Sequence, residues 1–456
     1  MHAPSKTARS LVVTAAAATM TVCVAQPVPV QATTTPVSAL TAPATAPVTA
    51  PAIPDTPAGR QLRWLLDAAT RPPVPESELA QHFTAGFLKE IPAATINQIL
   101  AAFRGMRLER LTQAQQTALI ALVTAGGTAY EVLLGVDAAG LIGSLQFRAP
   151  APRSWAELDE RLRKAAPQAG FVAAELTKNG DCRPVHSIAA DKVRPLGSMF
   201  KLYVLGAVAE AVERGEFGWN TQLTIEPELK SLPSGQLQDR PDGSKVSVLE
   251  AAKLMISISD NTAADLLIHK VGRKAVERTT RAWGGHDKRN APFLTTREMF
   301  VLKGVDYPRY AKKYRSLSTT KKRAYLDEVV AKVPLSSFAM WSAPRELDTL
   351  EWYGSPADVC QAYAGLTKLR DAHVGQALSI NDGGLGLDPS QWPTVWYKGG
   401  SEPGVLDVGY LARMKDGRTY VVAAMASDPD APFSEAQLGQ ELVGLARGAF
   451  TLVKED

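Results

Sequence analysis

The spacing of apolar positions changes several times along this chain, and each change marks an element. Between residues 58 and 150 apolar side chains first recur at helical spacing, over 61–66 and again over 88–103, as one buried helix face requires. The pattern then becomes short and strand-like. Residues 118–123, 130–134 and 141–147 read as three strands, with turns at Gly126-Gly127 and Ala138-Ala139-Gly140. Helices ahead of a curved antiparallel sheet predict a small α+β domain. Beyond the joint Ala149-Pro150-Ala151-Pro152, Ser154 and Glu157 form a capping box for a helix over 155–164. A hairpin follows, with strands over 170–176 and 183–189 and its turn at Lys178-Asn179-Gly180-Asp181. A largely helical block runs from residue 198 to about 369. Three more strands are predicted over 394–400, 405–414 and 418–426, then a helix near 435–450. Strands at both ends of this stretch with helices between them predict one antiparallel sheet flanked by a helical subdomain, an α+β fold.

The first 57 residues fit neither period. Lys6 and Arg9 precede an apolar stretch over 11–25, and small residues follow around Val30-Gln31-Ala32. That is the order of a secretory signal peptide, so a secreted or extracytoplasmic location is expected. The run is too short and alanine-rich for a permanent membrane span. Cys23 follows Val22, where lipid attachment would ask for a small residue, so no lipid anchor is expected. Residues 33–57, rich in Thr, Ala, Val and Pro, read as an extended tether. The expected plan is a signal (1–32), a tether (33–57), a small α+β domain (58–150) and a larger domain (151–456), as suits 456 residues.

Composition narrows the function classes. A hydrophobic content of 45% with 21% charged residues is ordinary for a globular chain with a sizeable core. The net charge is only +4, with no concentrated basic run, which argues against a nucleic-acid partner. With Cys23 lost in the signal, Cys182 and Cys360 are left, either as a pair or as buried thiols. The six histidines form no metal-ligand cluster, so neither a metal nor another cofactor is expected.

Three short segments carry candidate chemistry. Ser198 and Lys201 are three apart, on one face of a helix that Pro195-Leu196-Gly197 would start. Free N–H groups at a helix N-terminus favour a developing oxyanion. A serine needs an adjacent base, and a lysine serves only when burial or nearby positive charge lowers its pKa. The apolar positions Leu202, Leu205, Val208, Ala209 and Val212 place Lys201 beside a core, and Lys398 is the expected positive neighbour. Ser259-Asp260-Asn261 separates two apolar helical runs, a place where these residues would also serve simply as caps. Lys398-Gly399-Gly400-Ser401 lies on a predicted strand whose glycines let a ligand lie against the backbone.

In this order, Ser198-Met199-Phe200-Lys201, Ser259-Asp260-Asn261 and Lys398-Gly399-Gly400 resemble the S-x-x-K, S-D-N and K-T-G set of class A β-lactamases and penicillin-binding proteins, from about Trp155 to the C-terminus. The resemblance implies a β-lactamase/transpeptidase-like domain that acylates Ser198, with Lys201 as base. It implies that Ser259 relays a proton, Asn261 bonds the substrate amide, and Ser198 and Ser401 supply the oxyanion N–H groups. Asp260 is then structural. Gly399 stands where the family has threonine, which removes a hydroxyl that helps hold a substrate carboxylate; Ser401 is a partial replacement.

Class A enzymes also carry a loop glutamate that activates the deacylating water. Residues 281–294 contain no glutamate. Glu298 is better explained by a capping box with Thr295, while His286 and Asp287 read as solvated loop residues. The whole plan resembles the β-lactamase-like cephalosporin esterase of clavulanic-acid gene clusters, as does the stretch 344–356. That resemblance implies a cone-shaped, isomerase-like N-terminal domain, in which His82 and Glu131 read as surface or packing residues. The expected partner is a small β-lactam or ester substrate, without stable membrane insertion. The alternatives are a genuine β-lactamase and a β-lactam- or peptidoglycan-binding sensor that acylates once or only binds.

Overall fold

The computed structural model describes residues 51–454, so the expected signal peptide, Cys23 and most of the tether lie outside the described residues. Pro57, the last residue of the expected tether, already opens a helix capped by the Thr56 side chain. The chain divides into two compact units, one built from 51–165 with 436–454 and the other from 166–435.

The first unit begins with α1 (Pro57–Ala68), α2 (Glu76–His82), α3 (Ala85–Glu90) and α4 (Ala93–Ala102). An antiparallel meander follows, β1 (Arg107–Ala114), β2 (Ala118–Ala125), β3 (Thr128–Val136) and β4 (Ile142–Arg148), paired in that order. β2 alternates buried and half-buried positions, with Leu119, Ala121 and Val123 inward. The apolar face of α1, Leu62 and Leu65, packs toward the sheet. The sequence pattern missed β1 because Arg107-Leu108-Glu109-Arg110-Leu111-Thr112-Gln113-Ala114 is an edge strand with no buried position. Helix α5 (Trp155–Ala165) also belongs here. It joins the C-terminal helix α15 (Glu435–Leu452) through Arg161, whose guanidinium holds Glu441 at 2.7 and 2.8 Å. Ser154 caps α5, but Glu157 reaches back to the Arg153 N–H rather than to its cap residue.

The second unit carries the five-stranded antiparallel sheet. After β5 (Gln168–Leu176) and β6 (Cys182–Ile188) come the short β7 (Arg194–Pro195), β8 (Gln222–Thr224), β9 (Lys245–Ser247) and β10 (Tyr353–Gly354). The last three strands are β11 (Thr394–Glu402), β12 (Val405–Arg413) and β13 (Thr419–Ser427). The sheet order is β11-β12-β13-β5-β6, so β11 keeps one free edge.

Helices α6 (Lys201–Glu213), α7 (Val248–Ser257), α8 (Asn261–Val271), α9 (Arg273–Ala282), α10 (Thr296–Gly304), α11 (Arg309–Arg315), α12 (Thr319–Glu328), α13 (Pro356–Lys368) and α14 (Ala372–Leu378) make the helical block. α6 is buried nearly all round, as its run of Leu202 to Ala209 requires, and forms the axis of the core. Cys182 and Cys360 form a disulfide that joins β6 to α13 across 178 residues. Closing so long a loop in the unfolded chain stabilises a fold by about 2–5 kcal/mol.

The expectation of no concentrated basic run fails between 309 and 323, which hold seven Lys and Arg and no acid. Four of these are engaged locally. Arg309, Arg315 and Arg323 pair with Asp306, Glu346 and Glu277, and Lys322 lies over the Tyr314 ring. Among the described residues no helix is long and apolar enough to cross a membrane.

Candidate active site

Two local devices bring Ser198 and Lys201 into place. The β7–β10 pair and the hydrogen bond from the Leu196 N–H to the Trp352 carbonyl (2.8 Å) anchor the chain just before Ser198. Gly197, at φ +45°, then starts a single 3-10 turn, Gly197–Phe200, and the α-helix begins only at Lys201. Ser198 is therefore on the tighter turn rather than at the α-helix terminus expected from the sequence. Residues three apart eclipse one another in a 3-10 turn, which sets Lys201 Nζ 3.2 Å from Ser198 Oγ.

Lys201 is wholly buried, and its Nζ contacts four oxygens. Two are obligatory acceptors, the Ser259 carbonyl at 2.7 Å and Asn261 Oδ1 at 2.6 Å. The others are hydroxyls able to donate, Ser259 Oγ at 3.0 Å and Ser198 Oγ at 3.2 Å. A neutral amine has two N–H bonds and one lone pair, so it satisfies both acceptors and still accepts the serine proton. Burial, and secondly the charge of Lys398, hold Lys201 well below the usual ammonium range, against the opposing pull of Asp260 and Asp265.

Ser259 sits in left-handed backbone conformation, φ +57°, unusual for a residue with a Cβ and a form of strain that clusters at functional sites. Its carbonyl also accepts from Ser234 Oγ. Its hydroxyl lies between the two lysines, 3.0 Å from Lys201 Nζ and 3.2 Å from Lys398 Nζ. Asp260 caps α8, accepting from the Ala263 N–H, and binds the N–H groups of Gln236 and Leu237. The Asn261 carboxamide is engaged inside the protein, with Nδ2 donating to the Leu232 carbonyl at 2.9 Å, so it orients Lys201.

Lys398 lies buried on β11, where its Nζ donates to the Gly399 carbonyl at 2.7 Å, and burial pushes its pKa down to about 7. Strand and serine turn meet through glycines. A Cβ on Gly400 would lie 2.2 Å from the Leu196 carbonyl oxygen and 2.8 Å from the Ser198 nitrogen, and one on Gly197 would lie 3.0 Å from the Ser401 nitrogen. The two N–H groups expected to form an oxyanion hole, those of Ser198 and Ser401, thus border one close backbone contact. Just past them Lys303, fully buried, holds Glu351 at 2.6 Å and Glu402 at 2.8 Å and fixes the end of β11. Burial, with Glu351 beside it, pushes the Glu402 carboxyl well above the usual range.

The remaining loop residues stand elsewhere. Glu298 closes a capping box with Thr295 and grips Arg273 at 2.6 and 2.8 Å. Asp287 caps a short turn and pairs with Arg289 at 2.7 Å. Among the described residues no carboxylate hydrogen-bonds Ser198 or Lys201. The 351–354 segment, part of the stretch 344–356 singled out in the sequence, lies against the serine turn, a position that the sequence did not assign to it. There the Asn290 side chain binds the Tyr353 backbone and Trp352 stacks on Phe200, 3.8 Å between ring centroids.

Sheet, helical block and lysine-flanked serine define a β-lactamase/transpeptidase-like α+β fold. A family model described as the beta-lactamase enzyme family matches residues 153–331, and one described as the ORF 12 gene product N-terminal matches residues 53–142. Solved structures resemble the chain at low identity. PBP-A is 19% identical, covering 67% of this chain and 99% of its own, with a TM-score of 0.44. A β-lactamase from Sphaerobacter thermophilus DSM 20745 is 20% identical, covering 66% and 97%, with a TM-score of 0.46. No curated protein matches the chain.

Proposed function

We propose that the chain is an exported serine hydrolase that forms an acyl-enzyme at Ser198 on an ester or β-lactam-type substrate. The observation that carries this reading is the Lys201 amine, whose two acceptors leave its lone pair for the serine hydroxyl. Ser198 Oγ attacks the substrate carbonyl as Lys201 takes its proton, and the oxyanion lies against the N–H groups of Ser198 and Ser401. The proton then passes through the Ser259 hydroxyl to the leaving alkoxide or amine. Water, deprotonated by Lys201, releases the acyl group.

Glu298 and Asp287, the carboxylates nearest in sequence to the expected loop, are committed to Arg273 and Arg289, so neither is free to activate the deacylating water. Esters should therefore turn over faster than β-lactams. The substrate class we favour is that of the cephalosporin esterases, a reading supported by the missing loop glutamate and the two-part plan. His82 stacks on Trp64 and bonds Gln61, and Glu131 pairs with Arg148. The cone-shaped reading of that domain rests on helices packed on a four-stranded meander.

Ser198→Ala should abolish both ester hydrolysis and labelling by penicillin, and either activity surviving would overturn the proposal. In a burst experiment followed by mass spectrometry, the expected result is fast ester turnover with slow release of the penicilloyl adduct. Rapid multiple turnover of β-lactams would indicate a genuine β-lactamase, and a permanent stoichiometric adduct a sensor.

A further inference from the structure

Three chain segments meet at Ser198, and one buried cluster joins the outer two. The Leu196 N–H, just before the serine turn, donates to the Trp352 carbonyl at 2.8 Å. On its other side the same stretch packs on β11, where a Cβ on Gly400 would lie 2.2 Å from the Leu196 carbonyl oxygen. The segment that carries Ser198 is thus held between residues 352 and 400. Glu351 directly precedes Trp352, and Glu402 lies two residues beyond Gly400, on the same face of β11. Both carboxyls meet the Lys303 ammonium of α10, Glu351 at 2.6 Å and Glu402 at 2.8 and 3.1 Å. We propose that Lys303, Glu351 and Glu402 are positioning residues for acylation, a brace that sets the spacing between the Ser198 turn and the Ser401 N–H.

The charges of the cluster fit that role. Glu402 also hydrogen-bonds Glu351, and two carboxyls bond each other only through a proton. One shared proton leaves one negative charge opposite one ammonium. The side chains of Lys303 and Glu351 are wholly buried and that of Glu402 is 7% exposed, so an unmatched charge here would be strongly destabilising. Apolar side chains of the same volume would hold the fold as well or better; what the charged trio adds is a set of directional bonds of fixed length. Its members are tied down in turn. Glu351 accepts from the Trp352 N–H at 3.3 Å, and Arg345 donates to the Lys303 carbonyl at 2.7 Å. On β12, Asp407 pairs in register with Gly400, and burial pushes its carboxyl well above the usual range, so it adds no second counter-charge. The trio acts through the backbone it holds.

The inference rests on acyl transfer at Ser198, and its test separates the two. Labelling by a neutral fluorophosphonate is resolved into an apparent binding constant and a limiting rate. Glu402→Leu removes the bonds to Lys303 and Glu351, and the limiting rate should fall about hundredfold while the binding constant changes by less than about threefold. Glu402→Gln keeps an acceptor for Lys303 and a donor for Glu351, with one carboxylate still facing the ammonium, so the rate should return to within about threefold of the native value. Adding Glu351→Gln removes the last counter-charge, and the double variant should fall back to the Glu402→Leu level. Thermal melting sets a temperature at which every variant compared is folded. A native limiting rate in folded Glu402→Leu, an equally low rate in Glu402→Gln, or a loss confined to the binding constant overturns the inference. Should Glu402→Leu not fold, Glu402→Gln and the double variant decide, and equal rates in those two overturn it. A native chain that is not labelled at Ser198 overturns the acyl-transfer reading instead.

Discussion

Replacing Lys398 by methionine should move the pH at which Ser198 becomes reactive. The two lysines share the Ser259 hydroxyl at 3.0 and 3.2 Å, so their nitrogens are at most about 6 Å apart. At that separation and an effective dielectric of about 20, a unit charge on Lys398 is worth about 3 kcal/mol to Lys201, or about 2 pH units. Lys398 itself titrates at about 7, so below that pH it carries the charge that makes Lys201 harder to protonate. Without it, Lys201 holds its proton to higher pH, and the acidic limb of acylation moves upward by as much as about 2 units. Burial remains in Lys398→Met, so Lys201 stays below the ordinary lysine value. The assay is the rate of Ser198 labelling by a neutral fluorophosphonate, followed from about pH 4 to about pH 10. A neutral probe matters because Lys398→Met also weakens binding of anionic substrates; the position of the limb is read, not its height. A limb that stays in place, or moves down, would refute electrostatic coupling between the lysines.

Other substitutions probe the architecture around the site. Gly400→Ala should slow acylation about a hundredfold or more and lower Tm, because the added Cβ meets the Leu196 carbonyl at 2.2 Å and the Ser198 nitrogen at 2.8 Å. Labelling kinetics and thermal melting check this together. Asp265 is fully buried, and burial pushes its pKa up to about 7 despite hydrogen bonds from the N–H groups of Thr296 and Arg297. The folded state therefore holds a proton that the unfolded state releases near pH 4, and stability falls as pH rises from about 4 to about 7. The loss amounts to about 4 kcal/mol, and Asp265→Asn should flatten the urea-unfolding profile across that window.

The candidate site was legible in the sequence where it is local. Ser198 with Lys201, Ser259 with Asn261, and Lys398 with its glycines are short segments, and the structure brings all three together. Periodicity also found the strands of the larger sheet, because β5, β12 and β13 bury most of their positions. What stayed hidden depends on contacts between distant parts of the chain. Gly400 looks like any strand glycine until Leu196 is laid against it. Cys182 and Cys360 were left open as a pair or as buried thiols, because 178 residues separate them and only the fold brings them together. β1 escaped because an exposed edge strand imposes no alternation, and the 3-10 turn at Ser198 because its last residue leads straight into α6.

The sheet order has a consequence for how the protein is made. β5 leaves the ribosome early with its hairpin partner β6, but its other neighbour, β13, follows about 250 residues later. Until then Lys398 and the Ser401 N–H do not exist, and Ser198 is a serine without its second lysine or its oxyanion strand. On the proposed mechanism, a nascent or C-terminally truncated chain therefore cannot acylate, and reactivity arrives only with the final strands. Contacts of such long sequence separation also slow folding, so the appearance of a labelled Ser198 during refolding would report the closing of the sheet itself.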